Sequence, residues 1–205
     1  ALPPLQVSST FIMELDKRSD SNLQRTFIAF EPNDDVKSDI SFLIDELAKE
    51  YPQIRNWTKK ENLHFTFKFI GDTQNEDIEK IAEYVSNLGN ILKPIYLHEG
   101  HLEWYPFNNS PLICMMYEMK NSFLIKQYHL LGDYLQELGY RTDRRRLNFH
   151  LTLARLKGIE ISPKDKILIK QIREIKLGKL IYYRSILHRT GAEYQIIKEI
   201  NLKEE

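Results

Sequence analysis

Apolar and polar positions along the chain fall into two periods. Residues 25–31, RTFIAFE, alternate and predict a strand. Asn33 and Asp34 then precede Val36, Ile40, Leu43, Ile44 and Leu47, a stripe at helical spacing. NLHFTFKFI, residues 62–70, returns to alternation and stops at Gly71. The run from Thr73 to Glu76 has the form of a capping box, and Ile78, Ile81, Ala82, Val85 and Leu88 continue it as a second helix. KPIYLHEGHLEWY (93–105) and PLICMMYEM (111–119) predict strands around the turn FNNSP. A third helix presents Leu124, Tyr128, Leu131, Leu135 and Leu138 on one face and stops at Gly139. LNFHLTLARLK, residues 147–157, is the next strand. Ser162 and Pro163 open a fourth helix through Ile167 and Ile172. KLIYYRSILHR and YQIIKEINL close the chain as a hairpin around Thr190, Gly191 and Ala192.

Strand, helix, strand, helix, two strands is followed by helix, strand, helix, two strands, which reads as an internal repeat of a β-α-β-α-β-β unit. The fold expected is α+β: two pseudo-symmetric lobes, each an antiparallel or mixed sheet with outer helices, arranged around a central groove. Residues 1–24, with their prolines and serines, are expected to be an N-terminal extension, and 25–205 a single bilobal domain.

The two copies share more than periodicity. Asn62, His64 and Thr66 recur as Asn148, His150 and Thr152. Residues i and i+2 of a strand share a face, so each histidine projects with its threonine while Phe65, Phe67 and Phe69, or Leu151 and Leu153, pack behind. A single His-x-Thr is most simply a satisfied core histidine. Two in matching repeat positions need a cause, since apolar side chains there would stabilise more. Two imidazoles can work as general acid and general base, one charged and one neutral near their ordinary pKa. Two hydroxyls can bond the oxygens of a phosphate and stabilise charge in a pentacovalent transition state. The set suits in-line cleavage of a phosphodiester without a metal or cofactor. Lys68 shares the His64 face by alternation, so it reads equally as a further phosphate contact or as a solvated lysine.

Composition narrows the picture little. Lys and Arg number 29, as do Asp and Glu, so no global basic field announces nucleic acid. The local basic run is RTDRRR, where Arg144 to Arg146 are the best cluster to meet an anionic ligand, unless the run is a solvated loop. The lone Cys114 sits in an apolar run and reads as a core hydrophobe. His98 and His101 lack the company of a metal site and read as surface or turn residues, like His129 on the third helix; His188 falls in the closing hairpin. Phe27, Trp57, Trp104 and Tyr105 are candidates for a base-stacking platform, although such residues are more often core. No signal-like stretch or membrane span is apparent, so a cytoplasmic protein, monomeric by default, is expected.

The paired motifs resemble those of the 2H phosphoesterase superfamily, and most nearly those of the bacterial and archaeal RNA 2′,3′-cyclic phosphodiesterases, historically called 2′-5′ RNA ligases. RTFIAF is similar to that family's opening strand, NLHFTFKFIGD to its first motif, NFHLTLARLK to its second, and YRSILHRTGAEYQII to its final strand pair. Phe149 stands where the family often has proline. The resemblance implies an enzyme that opens RNA 2′,3′-cyclic phosphate ends, or a nucleotide bearing that group, to a 2′-phosphate. It implies His64 as the acid that protonates the leaving 3′ oxygen, His150 as the base that activates water, and Thr66 and Thr152 on the phosphate. Arg155 matches a phosphate-holding arginine, yet plain alternation puts it on the core face, and it reaches the groove only if the strand bulges after Leu153. Other substrates remain open, among them 2′-5′ oligonucleotides and small cyclic nucleotides, as does 2′-5′ ligation. A non-catalytic RNA-end-binding module is the reading from a different class.

Overall fold

The computed structural model describes residues 22–98, 100–105, 111–142, 146–156, 158, 167–168, 174–188 and 191–204. Its strands are β1 (Leu23–Pro32), β2 (Phe65–Gln74), β3 (Ile95–His98), β4 (Gly100–Tyr105), β5 (Leu112–Tyr117), β6 (Phe149–Arg155), β7 (Ile167–Leu168), β8 (Glu174–His188) and β9 (Gly191–Asn201). The helices are α1 (Asp34–Glu50), α2 (Asn75–Ile91) and α3 (Ser122–Glu137). The strands form one nine-stranded sheet in the order β3-β8-β1-β2-β6-β5-β4-β7, with β9 also paired to β8. Each pairing among the described residues is antiparallel.

The sheet divides in the middle. β2 and β6 share one register pair, Phe65 with Leu151, whereas β1 and β2 share a full ladder. One half holds β1, β2, β3, β8 and β9; the other holds β4, β5, β6 and β7. The helical stripes Ile40–Ile44–Leu47, Ile81–Val85–Leu88 and Leu124–Leu131–Leu135 are buried in one core with Phe65, Phe67, Leu151 and Leu153. A second, smaller cluster of Phe27, Ala29, Ile181 and Tyr183, covered by Tyr194, lies on the opposite, helix-free face. That is the face expected to line the groove.

Several sequence expectations are corrected. Residues 93–105 are two strands, not one: β3 pairs with β8 in the first half and β4 with β5 in the second. Periodicity cannot show such a switch of partners. Thr73 caps no helix; it is buried at the end of β2, where its hydroxyl lies 2.6 Å from that of Thr26. α2 starts at Asn75. The expected fourth helix included Ile167, which instead begins β7 beside β4; its other positions, 162–166 and 169–172, lie outside the described residues. β1 begins at Leu23, so Leu23 and Gln24 belong to the sheet rather than to an extension, and residues 1–21 lie outside the described residues.

α2 and β9 approach closely at Gly89. A Cβ added there would fall 2.6 Å from Ile200 Cγ2 and 2.9 Å from Ile200 Cβ. Ordinarily Gly→Ala within a helix stabilises by nearly 1 kcal/mol. Gly89→Ala should instead destabilise by about 1–3 kcal/mol, because the overpacking falls on a branched carbon close to the backbone. A urea titration against wild type checks the sign.

Candidate active site

The single pair Phe65–Leu151 sets the geometry of the motifs. In an antiparallel ladder centred on that pair, His64 falls opposite Thr152 and Thr66 opposite His150. Each histidine therefore faces the threonine of the other motif. The two imidazoles stand on a diagonal, with backbones about 7–8 Å apart, a span that a phosphate can bridge. All four side chains are half-buried and line the groove face.

His64 immediately precedes β2 and is boxed by aromatic rings. Its centroid lies 5.1 Å from Phe27, 5.2 Å from Tyr194 and 6.4 Å from Tyr183. Its Nδ1 is 2.7 Å from the Asn62 carbonyl oxygen. A carbonyl only accepts, so Nδ1 carries the proton and Nε2 is the basic atom of the neutral ring. Asn62 in turn donates its side-chain amide to Ala192 O at 3.3 Å, tying the motif to the start of β9. Burial pushes His64 down to about 4, against the hydrogen bond to Asn62, with His150 lowering it further, Glu31 opposing and Arg155 adding to the fall. His150 is also lowered, first by burial and also by Arg155, while its hydrogen bond to the Asn148 backbone opposes. In the free protein both rings are therefore neutral at pH 7. Glu31 is held by Lys37 at 3.0 Å and accepts from the Tyr183 hydroxyl.

Both motif strands bulge directly after their threonine. In β2, Ile28 pairs with Lys68 and Ala29 with Thr66, leaving Phe67 as the extra residue; in β6, Ile113 pairs with Ala154 and Cys114 with Thr152, leaving Leu153 extra. An extra residue reverses the alternation beyond it. Arg155 is consequently exposed, near enough to both histidines to lower them. Residues 56–58 fasten the bulged end, with Thr58 N donating to Leu153 O at 2.8 Å and Arg155 N to Asn56 O at 3.0 Å.

The same reversal moves Lys68 out of the groove, which corrects the expectation from alternation. Lys68 is 3% exposed, and its Nζ sits 3.5 Å from the centroid of Tyr128 on α3. Phe69 takes its place, 48% exposed on the groove face, with the Arg25 guanidinium 5.0 Å from its centroid. Sequence reasoning missed Phe69 and Arg25, since no residue pattern announced the bulge at Phe67. Of the aromatic candidates, Phe27 is buried under His64, Trp57 donates its indole N–H to Ile54 O at 2.9 Å, and Trp104 packs edge-on against Tyr51. Tyr105 closes β4. Arg144 and Arg145 lie outside the described residues; Arg146 is 3.8 Å from Glu118. Cys114 is buried, as expected, but on the groove face, its Sγ 3.9 Å from the Thr152 hydroxyl. Burial pushes its thiol up to about 11, so it stays protonated at neutral pH.

Residues 30–109 match the family model described as LigT like Phosphoesterase. The chain is 26% identical over 180 residues to an RNA 2′,3′-cyclic phosphodiesterase of Methanocaldococcus jannaschii, covering 85% of this chain and 99% of that one. It is also 26% identical over 179 residues to a Thermotoga maritima protein of the same name, covering 85% and 94%. The fold is shared with the crystal structure of Escherichia coli LigT complexed with 3′-AMP, at a TM-score of 0.70 and 15% identity over 89% of this chain and 99% of that one. A crystal structure from Thermus thermophilus matches at a TM-score of 0.71 and 18% identity over 87% and 97%. The two His-x-Thr strands meet at the Phe65–Leu151 pair, in a fold shared with Escherichia coli LigT. The chain thus resembles the LigT-like phosphoesterases over residues 30–109, and over most of its length it is similar to proteins named as phosphodiesterases.

Proposed function

We propose that the chain hydrolyses RNA 2′,3′-cyclic phosphate ends to 2′-phosphates, without a metal, by proton transfer through His64 and His150. The diagonal pairing of each histidine with the other motif's threonine carries the reading. It supplies two proton-transfer groups on opposite sides of one anion and two hydroxyls for its oxygens. Relatives named for this activity align over nearly their full length. Water attacks phosphorus in line with the 3′ oxygen and gives its proton to the base; the P–O3′ bond breaks, and the acid protonates O3′. Thr66 and Thr152 bond the equatorial oxygens, and Arg155 offsets their developing charge. Arg25 and Arg155 give the neutral protein a local attraction for the RNA backbone. EDTA should leave the rate unchanged.

The resemblance gives His64 the acid role and His150 the base role. The deeper burial of His64, which keeps it neutral, favours the reverse assignment as a second reading. A substrate with sulfur in place of O3′ decides between them, because a thiolate leaves without protonation. The variant lacking the acid, His64→Ala or His150→Ala, recovers most of its rate on that substrate, and the variant lacking the base does not.

Since both rings are neutral in the free protein at pH 7, one must gain a proton as the anion arrives. Binding of a nucleoside 2′-monophosphate at pH 7 should therefore take up protons, seen by calorimetry in buffers of different ionisation enthalpy. The profile of kcat/KM against pH should be a bell centred below the ordinary histidine value of about 6.5. A monotonic profile would count against paired histidines.

A further inference from the structure

The half of the groove floor beyond β6 continues through two more strands. Register places Thr152 beside Cys114 and Cys114 beside Glu103, and in the next row His150 beside Met116 and Met116 beside His101. Leu102, between the two β4 side chains, points into the helical core, so His101 and Glu103 share the groove face. His101, expected at the surface or in a turn, is partly exposed within β4. Strands lie about 4.8 Å apart, so the Glu103 backbone is about 10 Å from that of Thr152, roughly one nucleoside across. His101 Nε2 is 3.2 Å from Glu103 Oε2, and both side chains are 30% exposed. The floor between them and the phosphate cradle consists of two sulfur side chains, Met116 half-buried and Cys114 buried.

A carboxylate at this distance from an anion cradle repels a second phosphate. What it accepts is an uncharged hydrogen-bond donor. The terminal ribose of a 2′,3′-cyclic end has no free 2′ or 3′ hydroxyl, so the donors of the terminal nucleoside are those of its base. We propose that Glu103, oriented by His101, reads the amino-bearing edge of the terminal base as it lies over Met116 and Cys114, and so favours adenine, cytosine and guanine over uracil. Acidic side chains accept from exocyclic amino groups, and single-stranded RNA is read on its exposed base edges. Uracil presents one imino N–H between two carbonyl oxygens, which the carboxylate repels. The inference rests on the cyclic phosphodiesterase reading above.

The test uses four short RNAs with 2′,3′-cyclic phosphate ends that differ only in the last base. Wild type should turn over the three amino-bearing ends with kcat/KM about tenfold above the uracil end. Glu103→Ala should bring all four within about twofold by lowering the first three and raising uracil, which is freed of the repulsion. Glu103→Gln, which keeps the shape and one acceptor, should fall between and guards against misfolding. Equal wild-type rates on all four, a preference that survives Glu103→Ala, or a uniform loss that includes uracil would overturn the inference. So would loss of preference in Phe69→Ala alone, which would seat the base in the other half. If wild type opens none of the four, the underlying reading falls and takes this one with it; equal turnover of all four removes this one alone.

Discussion

Replacing His64 or His150 with alanine should lower turnover of a 2′,3′-cyclic RNA end by about 10²–10⁴-fold. In the proposed mechanism each variant removes one of two proton transfers, from the attacking water or to the leaving O3′, and the other histidine, on the diagonal, cannot serve both sides of an in-line displacement. The double variant should be little slower than the worse single one, because the two rings act as a unit. Losing one hydroxyl, as in Thr66→Ala or Thr152→Ala, should cost less, since the partner threonine and Arg155 remain. Folding provides an internal control. The depressed pKa of His64 means that, between about 6.5 and about 4, the unfolded chain binds a proton that the folded chain refuses. Wild-type stability should therefore fall as pH drops through that window, and the His64→Ala variant should lack that part of the decline. Single-turnover assays and urea titrations at several pH values measure both effects, and a full-rate His64→Ala protein would end the paired-histidine mechanism.

The largest loss of stability is expected at the seam. Phe65 is completely buried, its ring lies 5.7 Å from Tyr117 and 5.8 Å from Phe149, and its backbone makes the register pair with Leu151. Phe65→Ala removes a large side chain from a core shared by both halves, and truncations of this kind cost about 3–5 kcal/mol. Because a domain is stable by only about 5–15 kcal/mol, much of the folded margin would go. Activity should fall more steeply than folded fraction, since the seam also sets the diagonal between His64 and His150. Denaturant midpoints and kcat on the same preparations test this. A variant with native midpoint and native rate would show that the halves are held elsewhere.

The α+β repeat and its paired motifs were legible in the residues because His64, Thr66, His150 and Thr152 all precede the bulges, where simple alternation still holds. Beyond Phe67 and Leu153 the same rule fails. It sent Lys68 to the groove and Phe69 to the core, and the structure exchanges them. For Arg155 the sequence stated the condition, a bulge after Leu153, without being able to show that it was met. His101 and Glu103 were hidden by a different cause. The run 93–105 looks like one strand, and its division between two halves is decided by partners far away in the chain. Thr73 shows the limit of a local motif: a capping-box spelling was overridden by a buried hydroxyl pair with Thr26.

The pseudo-twofold has a consequence for direction. A symmetric cradle would accept a diester equally well in either orientation, and half of those encounters would present the wrong oxygen to the acid. The four motif side chains are nearly interchangeable by that axis, but their neighbours are not. Phe27, Tyr183 and Tyr194 enclose His64, whereas Met116, Cys114, His101 and Glu103 extend from the His150 side. A duplicated fold thus acquires a head and a tail. The degeneracy inherited from the repeat is lifted by residues that the repeat does not share, and it is they that would set the polarity of the proposed RNA strand.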